Sequence, residues 1–151
     1  MILDDKEKLI INHIQSGFPI CQRPYAAIGD ELGMSEEEVI QHVSSLKERG
    51  IIRRIGGNFS PEKVGFFSTL CGAKVPEEKI SAFADVVNSY KGVTHNYIRE
   101  DEFNVWFTFI EASVEAIETN LAEIAKKTGV TSIYNFPATQ VFKIRAEFTV
   151  K

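Results

Sequence analysis

Residues 93–110, VTHNYIREDEFNVWFTFI, decide the fold of this chain. They contain two segments rich in β-branched and aromatic residues, 93–99 and 103–110, and the acidic residues 100–102 between them. Such segments predict strands, and a connection of about three residues predicts that the two strands form a hairpin. In the second segment one row of alternating side chains is expected to face the core, and Trp106 is expected on the opposite face of the sheet. The row predicted to be buried consists of Phe103, Val105, Phe107 and Phe109.

A helix and then a further strand are predicted on each side of this hairpin. Pro76 suits the first turn of one helix, which Gly92 is expected to end. Gly129 is expected to end the other helix, whose apolar residues recur every three or four positions. The outer strands are predicted at 66–75 and 139–150, the latter from its alternating side chains. The order βαββαβ is ferredoxin-like and leaves one sheet face free of helices.

The first sixty residues have a helical period instead. Helices are predicted over 2–15 and 25–32, and Ser35 with Glu38 forms a capping box that predicts a third helix as far as Gly50. Residues 51–59 predict a short strand and turn, as in a winged helix-turn-helix. The predicted fold class is therefore α+β, with a winged helix-turn-helix domain over 1–60 and a ferredoxin-like ligand or catalytic domain over 61–151.

Composition excludes several classes of protein. The 151 residues carry 17 Lys and Arg against 21 Asp and Glu, a net charge of −4, which is unlike a dedicated nucleic-acid binder. Residues 25–50 include six acidic residues and only two basic ones. Glu36, Glu37 and Glu38 begin the expected recognition helix. DNA is therefore an unexpected partner. Two cysteines predict neither a disulfide framework nor a metal site, and the lack of a long apolar run predicts a cytoplasmic protein without a membrane span.

The strand over 93–99 carries the candidate chemistry. Alternation places His95, Tyr97 and Arg99 on one face and Asn96 on the other, with Thr94 and Ile98. An imidazole can donate a proton near neutral pH, and a guanidinium stays charged and holds carboxylates. The same residues could equally be ordinary strand side chains bonded to neighbouring groups.

A winged helix-turn-helix followed by βαββαβ resembles the Lrp/AsnC regulators over nearly the whole chain. Three stretches, RRIGGNF at 53–59, VTHNYIR at 93–99 and FNVWFT at 103–108, resemble more narrowly the sirohaem (siroheme) decarboxylases of haem biosynthesis. The resemblance implies a carboxy-lyase subunit that removes carbon dioxide from the C12 and C18 acetates of sirohaem. It also implies that a related subunit, in a heterodimer or a homo-oligomer, is the partner, and that no cofactor or protein-bound metal is needed because iron enters with the substrate.

Site residues follow from the motifs and the resemblance together. The expected catalytic residues are His95, Tyr97 and Arg99, and the expected substrate-binding residues are Arg53, Arg54, Asn96 and Trp106. The sequence leaves open whether His95 donates a proton or binds the iron axially, and whether Trp106 contacts a second subunit or a macrocycle. Two other functions also stay open: a DNA-binding regulator that senses a small molecule, and a structural subunit whose partner supplies the catalysis.

Overall fold

The computed structural model describes residues 3–142 and 148–151, which divide into two compact units. One unit runs up to Gly57 and includes the C-terminal residues 148–151, and the other is Asn58–Phe142. In the described part of the chain, no helix has the length and apolar character needed to cross a membrane.

The first unit is built from three helices: α1 (Asp5–Ile14), α2 (Pro24–Leu32) and α3 (Glu36–Glu48). A capping box at Asp4 begins α1, and the predicted capping box of Ser35 and Glu38 begins α3. The helices enclose a small apolar core. Its buried members are Ile10, Ile11, Ile28, Met34, Val39, Val43 and Leu46.

A partly buried ion pair joins the start of α1 to the end of α3. The Glu7 side chain is 5% exposed and accepts a hydrogen bond from the guanidinium of Arg49, the residue that caps the C-terminal end of α3. Removing one partner of such a pair leaves a buried charge without compensation. The pair therefore fixes the start of α1 against the end of α3.

The C-terminal residues lie along α1 and are held through their backbone. Asn12 donates from Nδ2 to the Val150 carbonyl (3.0 Å) and accepts from the Val150 N–H at Oδ1 (2.8 Å). Gln15 makes the same pair of bonds with Phe148, at 2.7 Å and 3.1 Å. Residues three apart share a helix face, so both side-chain amides point toward the tail. Each amide donates to and accepts from the backbone of one tail residue, as the backbone of a neighbouring strand would.

The predicted wing strand at 51–55 is wrong, because these residues form bends and irregular structure. The N–H groups of Ile51 and Ile52 both donate to the Leu46 carbonyl, so the chain turns back on the end of α3. Both isoleucine side chains pack against the helical core, and among the described residues the segment pairs with no strand. Arg53 and Arg54 follow, and both are exposed.

The second unit is a four-stranded antiparallel sheet covered by two helices. Its elements are β1 (Phe67–Ala73), α4 (Ile80–Asn88), β2 (Val93–Ile98), β3 (Val105–Glu111), α5 (Val114–Thr128) and β4 (Ile133–Phe136). The strand order β2-β3-β1-β4 confirms the ferredoxin-like prediction. The buried core lies between the helices and one sheet face, and its largest members are Phe83, Phe107 and Phe109.

The last strand is not where the alternation predicts it. β4 is Ile133–Phe136 and pairs with β1 from Ile133 opposite Ala73 to Phe136 opposite Leu70, and Pro137 follows it directly. Of the predicted strand 139–150, the residues 139–142 and 148–150 are irregular, and 143–147 lie outside the described residues. Proline cannot donate to a ladder, so a strand that ends before it is the expected outcome.

Gly92 has a different role from the predicted one, since α4 already ends at Asn88. A Cβ at Gly92 would lie 2.2 Å from the Ile110 carbonyl oxygen, and the Gly92 carbonyl accepts from the Ile110 N–H at 2.8 Å. Glycine is thus required for the close approach of two backbone segments.

Candidate functional site on the open sheet face

Two rows of side chains cross the face of the sheet that the helices leave uncovered, here called the open face. The strand register aligns His95, Thr108, Leu70 and Phe136 in one row. It aligns Tyr97, Trp106, Gly72 and Tyr134 in the next. With strands about 4.8 Å apart, each row is about 14 Å wide from β2 to β4.

A β-bulge at the start of β2 adds a residue to the first row. The register shifts between Val93 and His95, so Thr94 has no partner of its own on β3. Simple alternation predicts Thr94 on the helix side of the sheet, but its Oγ1 lies 2.7 Å from Oγ1 of Thr108. The bulge therefore places two hydroxyl groups in the row of His95.

Four aromatic rings cluster on the open face, three of them from the two rows. This aromatic platform consists of Phe103, Trp106, Tyr134 and Phe136. The Trp106 and Phe136 rings are stacked, with centroids 5.7 Å apart and planes at 28°. Phe103 meets the other three edge-on, at centroid distances of 5.2 to 5.8 Å. Phe103 thus leaves the buried row in which the sequence places it, because the strand begins only at Val105.

Gly72 lies beneath the platform and makes room for it. A Cβ at this position would lie 3.2 Å from Cε2 of Phe136 and 3.3 Å from two atoms of the Trp106 ring. A hydrogen bond also holds the Trp106 indole in place, since its Nε1 donates to the Phe103 carbonyl at 2.6 Å. The platform is therefore a preformed cluster of aromatic rings.

The candidate catalytic residues stand beside the platform on β2. His95 is exposed and lies opposite Thr108, while Tyr97 is opposite Trp106 and half-exposed. Arg99 follows the end of β2, where its guanidinium carbon lies 5.1 Å from the centroid of the Tyr97 ring. The structure thus brings His95, Tyr97, Trp106 and Arg99 to the β2 side of one face.

Of the remaining predicted site residues, Asn96 does not join this group. Asn96 lies on the helix side, where its Nδ2 donates to Oδ1 of Asn88 at the end of α4 (3.0 Å). Its side chain therefore ties β2 to α4 and turns away from the open face. Arg53 and Arg54 belong to the first unit, where both are exposed.

Sequence reasoning missed Lys74. Lys74 directly follows β1 and lies two residues after Gly72, so alternation places it on the same face of the sheet. Its Nζ lies 5.1 Å from the centroid of the Phe103 ring. The ammonium group also donates to a carboxylate oxygen of Glu102 in the hairpin turn, and this bond raises the pKa of Lys74. The sequence does place Lys74 two residues after Gly72. Only the strand register shows that Gly72 lies beneath the platform, so the spacing alone could not assign Lys74 to the site.

In the first unit, cations near the start of α3 are bonded to acids. Arg23 donates to Glu36, and Lys6 donates to Glu38 at 2.7 Å. The bond from Lys6 and the capping bonds from Ser35 lower the pKa of Glu38 to about 2. The charges of Arg23 and Lys6 are therefore neutralised by glutamates of α3, the helix that would have to contact DNA.

Asp4, Glu7 and His42 could be considered as ligands for a metal, since one atom of each lies within 4.8 Å of the others. Both carboxylates already have other partners. Asp4 and Glu7 form the capping box of α1, and Glu7 also binds Arg49.

Two family models match the chain. The model described as "Siroheme decarboxylase NirDL-like HTH domain" matches residues 7–53, and the one described as "AsnC-like ligand binding domain" matches residues 63–143.

Relatives that are similar over nearly the whole chain are named as siroheme decarboxylase subunits, in agreement with the first family model. The siroheme decarboxylase alpha subunit of Oleidesulfovibrio alaskensis is 53% identical over 97% of this chain and 88% of its own length. The siroheme decarboxylase NirD subunit of Pseudomonas aeruginosa is 32% identical over 99% of this chain and 98% of its own length.

Two solved structures illustrate the range of similarity. The siroheme decarboxylase NirDL in co-complex with an iron-uroporphyrin III analogue has a TM-score of 0.65 at 27% identity, over 97% of this chain and 48% of that one. The leucine response regulatory protein of Mycobacterium tuberculosis has a TM-score of 0.82 at 17% identity, over 98% of this chain and 100% of that one. The second likeness concerns the fold alone.

Proposed function

The chain belongs to the sirohaem decarboxylase family, and from that premise we propose that it is a subunit of a carboxy-lyase that removes carbon dioxide from the C12 and C18 acetates of sirohaem. The observation that carries this proposal is the aromatic platform beside His95 and Arg99 on one open face. An aromatic surface flanked by an imidazole and a guanidinium suits a macrocycle with charged side chains. In this proposal Trp106 is part of the surface on which the macrocycle lies.

The reaction requires one proton for each carbon dioxide released. The bond between the acetate CH2 and its carboxylate breaks, carbon dioxide leaves, and the electron pair stays with the CH2 carbon, delocalised into the macrocycle. Protonation of that carbon gives a methyl group. We assign this proton to the His95 imidazolium, which is exposed and can therefore take up another proton from solvent.

Arg99 is proposed to hold a carboxylate that is not lost. It is four residues from His95, or about 13 Å between their backbone positions along an extended strand, so we assign the two side chains to different carboxylates. This separation is favourable because a guanidinium on the reacting carboxylate would stabilise the charge that the reaction removes. Tyr97, between the two and in contact with Arg99, is proposed to orient the guanidinium and the substrate. Arg53 and Arg54 are proposed as further carboxylate ligands on the resemblance of their motif.

A second subunit is part of the proposal. Tyr97, Tyr134 and Phe136 are each 40% to 45% exposed, and together they leave an apolar patch uncovered. Such patches mark binding surfaces. We propose that a related subunit, or a second copy, covers a substrate lying on the platform, and that the chain needs no cofactor of its own because the iron arrives with sirohaem.

The test uses Trp106 as a reporter, since it is the single tryptophan of the chain. Anaerobic titration with sirohaem should quench its fluorescence, and chromatography should show loss of two acetates in the presence of the partner subunit. His95→Gln should retain quenching but lose turnover. His13→Gln, in the first unit, is the matched control and should change neither. Full turnover by His95→Gln would remove the proposed proton donor, and absence of quenching in the wild-type chain would contradict binding on the platform.

DNA binding is not proposed, because Arg23 and Lys6 are bonded to the glutamates of α3. Wild-type chain titrated with its own upstream DNA at increasing salt should show no complex. A complex whose affinity falls steeply with salt would instead support a regulator.

A further inference from the structure

Lys74 stands at the rim of the aromatic platform without a role in the chemistry described so far. Its ammonium lies over Phe103, whose ring contacts the other three rings of the platform. It directly follows β1, as Arg99 directly follows β2, and β3 separates these strands. Two strand spacings of about 4.8 Å therefore separate two cations at the same end of the open face, beyond the row of Tyr97 and Trp106.

The anion now bonded to Lys74 is easily exchanged. The Glu102 side chain is 69% exposed and that of Lys74 is 38% exposed. Exposed ion pairs of this kind contribute little to stability, because water competes for both charges and two long side chains must be ordered. The contact with the Phe103 ring, in contrast, keeps the ammonium over the platform whichever anion it binds.

We infer that Lys74 is a carboxylate-binding residue for the substrate, and that a peripheral carboxylate of the macrocycle takes the place that Glu102 occupies in this structure. The inference rests on the proposed function and adds to it a second cation, on the β1 side of the platform. Lys74 and Arg99 together would fix the macrocycle by two carboxylates at one end, and its opposite edge would lie toward His95. Lys74 is a positioning residue here, since it is remote from the reacting carbon.

The experiment measures the affinity of the full-length chain for iron uroporphyrin, which carries eight carboxylates, through quenching of Trp106. Lys74→Met keeps the stem over Phe103 and removes the charge, and it should weaken binding about tenfold, the effect of losing one charge-assisted hydrogen bond. Lys74→Arg should bind nearly as well as wild type. Glu102→Gln should strengthen binding, because it removes the competing anion.

Two controls separate this inference from the proposed function. Lys126→Met, an exposed lysine on α5, makes the same change of charge on the helix side and should leave affinity unchanged. The methyl ester of the same porphyrin, which has no carboxylates, should bind wild type and Lys74→Met equally. Equal affinity of Lys74→Met and Lys126→Met for iron uroporphyrin would overturn the role of Lys74 while leaving the platform intact. No quenching in the wild-type chain would instead count against the proposed function.

Discussion

Enlarging Gly72 should disturb the platform more than it disturbs the fold. A Cβ there would approach the Phe136 and Trp106 rings to 3.2 and 3.3 Å, so both rings would have to move by a few tenths of an ångström. Such overpacking costs roughly 1–3 kcal/mol, and alanine recovers about 0.5–1 kcal/mol relative to glycine within a strand. For Gly72→Ala we therefore expect a net loss of about 1 kcal/mol in the free energy of unfolding.

Gly72→Val should have the larger effect on binding, because its two additional methyl groups enter the space of the stacked rings. Loss of one stacked aromatic contact is worth about 0.5–1.5 kcal/mol, which corresponds to roughly two- to tenfold weaker binding of iron uroporphyrin. The fluorescence of Trp106 measures both consequences, since its emission maximum should shift to the red as the indole becomes more exposed and its quenching gives the affinity.

Gly17 provides the matched control, because nothing lies within 4 Å of a Cβ placed there. Gly17→Val should leave the emission maximum and the affinity unchanged. The reasoning would be refuted if Gly72→Val had the emission spectrum and the affinity of wild type, since the rings could then not be resting on that glycine.

Three further predictions concern stability and reactivity. The pKa of Glu38 is lowered to about 2, so its carboxylate stabilises the folded chain at neutral pH. Glu38→Gln should accordingly unfold more easily than wild type at pH 7, and the difference in thermal midpoint should shrink as the pH falls from about 4.5 toward about 2. Burial raises the pKa of Cys71 to about 12 while Cys21 is exposed, so a thiol reagent should label only Cys21 until denaturant is added. Asn12→Ala combined with Gln15→Ala should release the C-terminal tail, accelerate its trimming by carboxypeptidase, and lower the free energy of unfolding by about 1–3 kcal/mol.

Most of the fold was predictable because local signals agree with the tertiary structure. The capping box at Ser35 begins α3 where the sequence places it, and the alternation of 103–110 buries Val105, Phe107 and Phe109 as expected. These features depend on neighbouring residues, and a single sequence is enough to recognise them.

The errors occur where a partner strand decides the outcome. The alternation over 139–150 satisfies the pattern of a strand, but the edge of β1 is taken by Ile133–Phe136. The wing segment is drawn to the end of α3 by hydrogen bonds to Leu46. Pairing of this kind depends on residues distant in the sequence, which periodicity does not reveal.

The candidate site was predictable along one strand and not across the sheet. Alternation correctly groups His95 with Tyr97, since both belong to β2. Thr94, Gly72 and Lys74 could not be added to the group, because a bulge and the register of β1 place them there. The contribution of Phe103 was hidden because β3 begins only at Val105, so its ring lies outside the buried row and joins rings from β3 and β4.

The hold of α1 on the tail has a consequence for how this protein can evolve. Asn12 and Gln15 bind the peptide groups of residues 148 and 150, so these hydrogen bonds place no demand on either side chain. The exposed Phe148 is therefore nearly free to drift, whereas Val150 is constrained because it packs against the helical core. Proline is the exception, because it lacks the N–H that each amide oxygen accepts. Homologues are therefore expected to vary at 148, to keep an apolar residue at 150, and to keep an amide at 12 and 15.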